Sequence, residues 1–180
     1  MKLMNRIALS CLLLVAMCVS ASADNYTSWV LISISARHTL TSGVSPIEDP
    51  TGLVYEKALT TGSSTGYVDQ SYHHLATVAS TASDVYDLNG SLTDAFGTVA
   101  TFSAVKAITV RNDSLTASIA VGGGATDVAG IGRVVIPADG CLVVSGPLDG
   151  WPVASGSDCI TVAIATGSTA QYRLIITGNK

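Results

Sequence analysis

The stretch Gly132-Arg-Val-Val-Ile-Pro-Ala-Asp-Gly-Cys-Leu-Val-Val-Ser145 places two short apolar runs on either side of a turn. Gly132–Ile136 and Cys141–Ser145 are rich in valine and isoleucine, which favour strands. Pro137 ends the first run because it cannot donate to a strand ladder, and the Asp-Gly pair that follows is typical of turns. The stretch therefore predicts a strand, a turn and a second strand.

The same pattern of apolar runs and turn residues recurs along the rest of the chain. Strand candidates begin about every eight to sixteen residues, a spacing typical of antiparallel sandwiches and barrels. No run of about ten residues has the apolar spacing of an amphipathic helix, which argues against βαβ units. The further candidates are Trp29–Ser35, Leu53–Leu59, Asp84–Leu88, Ala104–Arg111, Thr116–Val121, Cys159–Ala165 and Gln171–Thr177. The sequence therefore predicts an all-β fold, an antiparallel β-sandwich or a barrel.

Four segments do not give a clear strand pattern. Ser42–Gly52 carries two prolines and is predicted to be rich in turns, and Thr60–Gly66 is predicted to be a loop. Leu92–Phe96 is predicted to form one helical turn that stops at a glycine. Tyr67–Val78 fits neither the helical nor the strand period.

The first 23 residues have the order of parts found in an export signal. Lys2 and Arg6 give a positive start, Ile7–Val19 is an apolar run broken by one serine, and Ala21-Ser22-Ala23 is a small-residue exit. The run is shorter than the ~20 apolar residues that a transmembrane helix needs. We predict a signal peptide over residues 1–23, with a retained N-terminal anchor as the alternative.

Cleavage of this signal would leave residues 24–180, a length that predicts one domain, in which 24–52 is an N-terminal arm. Removing Lys2 and Arg6 leaves seven basic residues against 13 acidic ones, a net charge of −6. This balance offers no electrostatic footprint for nucleic acid or for an anionic membrane surface. The expected localisation is outside the cytoplasm: secreted, periplasmic or on an extracellular surface.

Two cysteines remain after cleavage, Cys141 and Cys159, and each opens an apolar run. An even pair in an oxidising compartment predicts a disulfide, provided that the two strands are neighbours. The alternative is two buried free thiols. Two isolated cysteines lack the further ligands that a metal site needs.

Histidine offers the one candidate for acid–base chemistry. His73 and His74 are adjacent, so in a strand they point to opposite faces and cannot both ligate one ion without a bend. Either could work with Asp69 or Asp84, yet no nucleophile motif accompanies them. A hydrolase that uses one of these histidines is therefore the third functional hypothesis, and a solvated pair is the expected structure.

Two other motifs have ordinary explanations. The glycines of Gly122–Gly132 lack the following helix that a dinucleotide site requires. Asp87–Asp94 has oxygen ligands at alternate positions, like part of a calcium loop, but lacks its glycine and its bidentate glutamate, and an Asx turn explains the same residues. We therefore predict no catalytic, cofactor-binding or metal-binding residues, and no cofactor.

Aromatic residues are the remaining candidates for a binding surface. Trp29, Trp151 and Tyr67 are predicted to lie at an interface, because large aromatic side chains line interfaces or fill cores. They could also form a sugar-binding platform. The second functional hypothesis is accordingly a secreted β-sandwich module that binds a glycan or a protein receptor.

The segments Asp87-Leu-Asn-Gly-Ser-Leu-Thr-Asp-Ala-Phe-Gly97 and Phe102-Ser-Ala-Val-Lys-Ala-Ile-Thr-Val-Arg-Asn112 resemble small structural proteins of tailed-phage virions. The resemblance continues through Ile136-Pro-Ala-Asp-Gly140 to Tyr172-Arg-Leu-Ile-Ile-Thr-Gly178 and covers roughly residues 53–178. It implies a jelly-roll-like β-sandwich that has no enzymatic activity and acts by assembling on a particle surface. Members of that family do not normally carry an export signal.

The leading functional prediction joins these observations. It is a non-enzymatic structural protein that assembles with copies of itself, or on a particle, filament or cell surface. The resemblance implies a virion as the place of action, whereas the signal implies export.

Overall fold

The computed structural model describes residues 27–42, 45–62, 64–94 and 97–180, and only the backbone of residues 27–29, 33–42, 45–53 and 91. The predicted signal peptide, residues 1–23, lies outside this description. The described ranges contain fourteen strands. They are β1 (Thr27–Ser42), β2 (Ser45–Thr61), β3 (Tyr67–Val68), β4 (Gln70–Ala79), β5 (Ser83–Asp87), β6 (Asn89–Thr93), β7 (Val99–Thr101), β8 (Ala104–Asn112), β9 (Ser118–Val121), β10 (Val134–Ile136), β11 (Cys141–Ser145), β12 (Trp151–Pro152), β13 (Cys159–Thr166) and β14 (Thr169–Asn179).

Two antiparallel sheets form the body of the protein. The front sheet has the order β4-β14-β8-β11, with the short β12 also paired to β8, and the back sheet has the order β5-β13-β9-β10. Consecutive strands divide between the sheets. The chain passes from front to back between β4 and β5, between β8 and β9, and between β11 and β13. It returns from back to front between β5 and β8, between β10 and β11, and between β13 and β14. Eight strands wound in this order form a jelly roll. The predicted antiparallel, jelly-roll-like β-sandwich is therefore confirmed.

The core lies between the two sheets, and β14 shows how the sequence builds it. The strand alternates exposed and buried residues, and Tyr172, Leu174 and Ile176 on its inner face are fully buried. Ile160 and Val162 of β13 belong to the same apolar cluster from the back sheet. The strands that the sequence predicts at Cys159–Ala165 and Gln171–Thr177 therefore provide the centre of both sheets.

The chain before the body forms a long hairpin. β1 and β2 pair in register from Thr27↔Thr60 to Ser42↔Ser45, and β2 continues into a short parallel contact with β3. We call the paired strands β1 and β2 the arm, which continues past the predicted arm of residues 24–52 to Thr61. The prediction that Ser42–Gly52 is rich in turns is wrong, because from Ser45 onward this segment belongs to β2.

A small ribbon of β6 and β7 joins the back sheet to the front sheet. Leu92 pairs with Ala100 across this ribbon and is buried. The predicted helical turn over Leu92–Phe96 is therefore wrong for Leu92 and Thr93, which extend β6, whereas residues 95 and 96 lie outside the described part. The ambiguous segment Tyr67–Val78 forms β3 and most of β4.

Candidate functional site

The arm is held to the body at its base. Val30 and Leu59 are buried in a small apolar cluster with Ala107, on the outer face of the front sheet. Ile32 of β1 and Val143 of β11 pack against this cluster and are partly buried. The arm thus covers part of the outer face of the front sheet.

The opposite face of the arm carries exposed apolar side chains. Leu31 is 62% exposed and Val54 is 70% exposed. The register pairs Leu31 with Glu56 and Ser33 with Val54, so the two apolar residues lie on one face as diagonal neighbours. We call Leu31 and Val54 the outer arm pair.

One edge of the arm is unpaired along its whole length within the described part of the chain. β1 is the edge strand of its sheet and pairs with β2 alone among the strands that the structure describes. At ~3.3 Å per residue, its 16 residues present an unpaired edge about 50 Å long. Such an edge is a template for pairing with another strand.

The three aromatic residues predicted at an interface occupy separate elements. Trp151 lies in β12 at the side of the front sheet, where it is partly buried against the core. Tyr67 lies in β3 and is 44% exposed. The backbone of Trp29 pairs with Ala58 in the arm, and its side chain is outside the described part of the chain. Their role at an interface stays a prediction.

The predicted disulfide between Cys141 and Cys159 is wrong. Both thiols are free, because Cys141 begins β11 in the front sheet whereas Cys159 begins β13 in the back sheet. The prediction required neighbouring strands, and the jelly-roll order separates these two. Cys141 is exposed, whereas Cys159 is buried, and burial raises the pKa of the Cys159 thiol.

A chain of four hydrogen-bonded polar side chains lies along one side of the sandwich, where the edge strands β4 and β5 of the two sheets are neighbours. His74 Nδ1 lies 3.0 Å from the Tyr86 hydroxyl, and the Tyr86 and Tyr172 hydroxyl oxygens are 2.6 Å apart. Tyr172 donates to Asp84 Oδ2 at 2.6 Å. We call His74, Tyr86, Tyr172 and Asp84 the relay.

The two tyrosines of the relay are buried and stay protonated at neutral pH. Burial raises the pKa of Tyr86 to about 12. Burial raises the pKa of Tyr172 as well, and the hydrogen bond with Asp84 acts in the same direction. Burial also raises the pKa of Tyr72, whose ring is tilted against those of His74 and Tyr86.

The relay opens onto the surface at a shallow depression of about 490 Å³. His74, Asp84 and Tyr86 line it together with the neutral side chains of Thr77, Ser83 and Val85.

The structure separates the histidine and aspartate candidates of the sequence. His74 and Asp84 belong to one hydrogen-bonded chain, whereas His73 pairs with Ile175 and points to the other face of β4. Asp69 accepts a hydrogen bond from the backbone N–H of Lys180 instead. Sequence reasoning missed Tyr86 and Tyr172, although both alternate with other inward-facing residues along their strands.

The other motifs serve local structure. Asp87 Oδ1 accepts the Asn89 N–H at 2.8 Å, which is the Asx turn that the sequence indicated. In the loop between β9 and β10, the Asp127 carboxylate accepts hydrogen bonds from the Gly124 N–H and the Thr161 hydroxyl, both at 2.7 Å.

The described residues lack both a metal-binding cluster and a membrane-spanning helix. In those residues no group of three or more His, Cys, Asp or Glu side chains is placed to hold a metal ion. None of the described segments forms a helix long and apolar enough to cross a membrane.

Comparison with other proteins gives no relative. No family model, no curated protein and no solved structure matches this chain.

Proposed function

We propose that the protein is an exported, non-enzymatic assembly protein whose copies join through the free edge of β1. The place of action is a particle, a filament or a cell surface. The observation that carries the proposal is the difference between the two edges of the arm, because only the edge of β1 keeps every backbone donor along its length.

Two prolines in β2 protect the other edge. Pro46 pairs with Thr41 and Pro50 pairs with Arg37, within an unbroken register. A proline has no N–H, so it is tolerated in a paired strand where its nitrogen points away from the neighbour. The prolines are four residues apart, so both nitrogens point to the outer edge of β2 and weaken that edge as a template.

β1 carries no proline between Thr27 and Ser42, so its outer edge keeps all its donors. In an antiparallel pair, opposite residues either exchange both hydrogen bonds or direct both N–H groups outward. Arg37 and Thr41 lie opposite the prolines and therefore direct their N–H groups to the free edge. A second copy of β1 offers an equally long edge with the same donors and acceptors.

Other features agree with this function. The resemblance to virion structural proteins implies assembly, and the predicted signal over residues 1–23 implies export. The outer arm pair, Leu31 and Val54, provides apolar side chains next to the free edge.

The test is a single proline in β1, followed by sedimentation velocity over a range of protein concentrations. The parent chain should form oligomers as concentration rises. Arg37→Pro removes one outward N–H and leaves the pairing with β2 intact, so it should shift the protein to monomers. Arg37→Ala keeps the N–H and should assemble like the parent.

A neighbouring proline distinguishes loss of the edge from loss of the arm. His38 lies opposite Asp49, in the next pair, so its N–H is directed towards β2. His38→Pro should therefore disrupt the arm itself and lower its strand content, which Arg37→Pro should not do. A monomeric parent at high concentration, or an Arg37→Pro variant that assembles normally, would contradict the proposal.

A further inference from the structure

The hydrogen bonds of the relay have only one consistent direction. The Asp84 carboxylate accepts the single proton of the Tyr172 hydroxyl. Tyr172 then has no proton left for Tyr86, so the Tyr86 hydroxyl donates across the 2.6 Å contact. Tyr86 has then used its own proton and accepts from His74 Nδ1 at 3.0 Å.

This direction fixes the tautomer of His74. The neutral imidazole carries one proton, and the relay places it on Nδ1, so Nε2 keeps a free lone pair. The side chain of His74 is exposed, although its ring packs edge-on against Tyr86. The tyrosines behind it are buried, so they hold the imidazole in this state from within the core.

The depression therefore presents two acceptors among neutral groups. One is Nε2 of His74, and the other is Asp84, of which only Oδ2 is used by Tyr172. Thr77 and Ser83 add hydroxyls, and Val85, 57% exposed, adds an apolar surface. Among the described residues that line the depression, Asp84 is the one carboxylic acid.

We propose that this depression binds a carbohydrate through two sugar hydroxyls that donate to His74 Nε2 and Asp84. Sugars alternate hydroxyl donors with apolar C–H faces, which matches two acceptors beside Val85. A cation would gain from several carboxylates, and here there is one. A volume of about 490 Å³ lies within the range of ordinary small-ligand pockets. The site is independent of the arm.

The first test concerns the tautomer and needs no ligand. Long-range nitrogen–proton NMR spectra of the full chain should show His74 protonated at Nδ1 and bare at Nε2. Tyr86→Phe removes the acceptor of that proton, so it should release this preference, whereas Tyr67→Phe should not. A parent His74 protonated at Nε2 would overturn the inference.

The second test is binding of methyl mannoside, methyl galactoside and N-acetylglucosamine, followed by amide chemical shifts. At least one sugar should give saturable shifts around His74 and Asp84. His74→Asn keeps a donor near the Nδ1 position and removes Nε2, and it should weaken binding about tenfold or more, as should Asp84→Asn. His73→Asn, on the other face of β4, is the matched control and should bind normally.

Each result decides the proposal. Binding that depends on His74 and Asp84 but not on His73 supports it. Shifts that lie elsewhere, or that survive His74→Asn and Asp84→Asn, overturn it. A response to ethylammonium and to none of the three sugars would overturn it in favour of a cation site.

Discussion

Strand β14 in the body and strand β1 in the arm are both long strands, yet their surroundings are opposite. β14 pairs on both edges, with β4 and β8, and buries every second side chain between the sheets. β1 pairs on one edge, and of its described side chains only Val30 is buried. Strand β14 is thus paired on both edges and buried on its inner face within the body, whereas β1 leaves one edge without a partner among the described strands and the arm leaves one face exposed.

The largest expected difference is in the cost of shortening a buried side chain. Leu174→Ala in β14 removes a fully buried side chain from the middle of the core and should lower the free energy of unfolding by about 3–5 kcal/mol. Val30→Ala in the arm base should cost only about 1 kcal/mol, because few buried neighbours surround it. Denaturant unfolding of the two variants measures both. Equal losses would break the contrast between body and arm.

The next largest expected effect is a loss of stability at alkaline pH, caused by a buried tyrosine in the body. Burial raises the pKa of Tyr86 from 10.0 to about 12, so the phenol ionises in the unfolded chain before it does in the folded one. Stability should be unaffected below pH 10 and should fall from there to about pH 12. The slope is about 1.4 kcal/mol per pH unit for each such tyrosine.

Two phenylalanine variants test which tyrosine causes the loss of stability at alkaline pH. Tyr86→Phe should make the fall above pH 10 shallower, as measured by unfolding at a series of pH values. Tyr55→Phe removes a 37% exposed phenol from the arm and is the matched control for the loss of one tyrosine hydroxyl. If the pH dependence changed in Tyr55→Phe and not in Tyr86→Phe, the tyrosine responsible would lie in the arm, and the prediction would be wrong.

A smaller effect should follow from a buried amide that joins three elements of the body. Asn112 is fully buried, and its Nδ2 donates to the carbonyls of Ala117 and Pro137 at 2.8 and 2.9 Å. Its Oδ1 accepts the Ser114 N–H at 3.1 Å. Asn112→Ala leaves these groups unpaired and should cost about 2 kcal/mol.

Asn89→Ala provides the control for this amide. Asn89 is exposed at the start of β6, and its backbone N–H makes the hydrogen bond to Asp87. The substitution keeps that bond, so its effect on unfolding should stay within about 0.5 kcal/mol. A cost for Asn112→Ala as small as that for Asn89→Ala would show that the amide network is not important to the body.

The fold of the body was easier to predict from the sequence than the fold of the arm. Gln171–Thr177 alternates cleanly because β14 has one buried face, and that alternation is visible in the residues themselves. Pro46 and Pro50 led to a prediction of turns in the arm, because a proline interrupts most strands. They are tolerated in β2 because none of the described strands lies beyond that edge along this segment, which is information about neighbours that the sequence does not contain.

The candidate site, too, could be predicted only in part, because its connections depend on which strands become neighbours. His74 and Asp84 are ten residues apart and could be named from the sequence as partners. Their connection runs through Tyr172, which lies far along the chain and reaches them only because β14 pairs with β4. The cysteine prediction failed for a related reason, since Cys141 and Cys159 are close in sequence but divided between two sheets.

The smallest expected effect on stability comes from the outer arm pair. Leu31 is 62% exposed and lies opposite Glu56, so Leu31→Lys should raise the free energy of unfolding by a few tenths of a kcal/mol through a cross-strand ion pair. Leu31→Glu places like charges opposite each other and should lower it by a similar amount. Both changes remove apolar surface beside the free edge of β1, so both should reduce assembly in sedimentation experiments. Leu115→Lys, at a 79% exposed position in the body, should leave assembly unchanged. If assembly instead followed the sign of the stability change, the arm would be acting through the folding of the chain and not as a surface between copies.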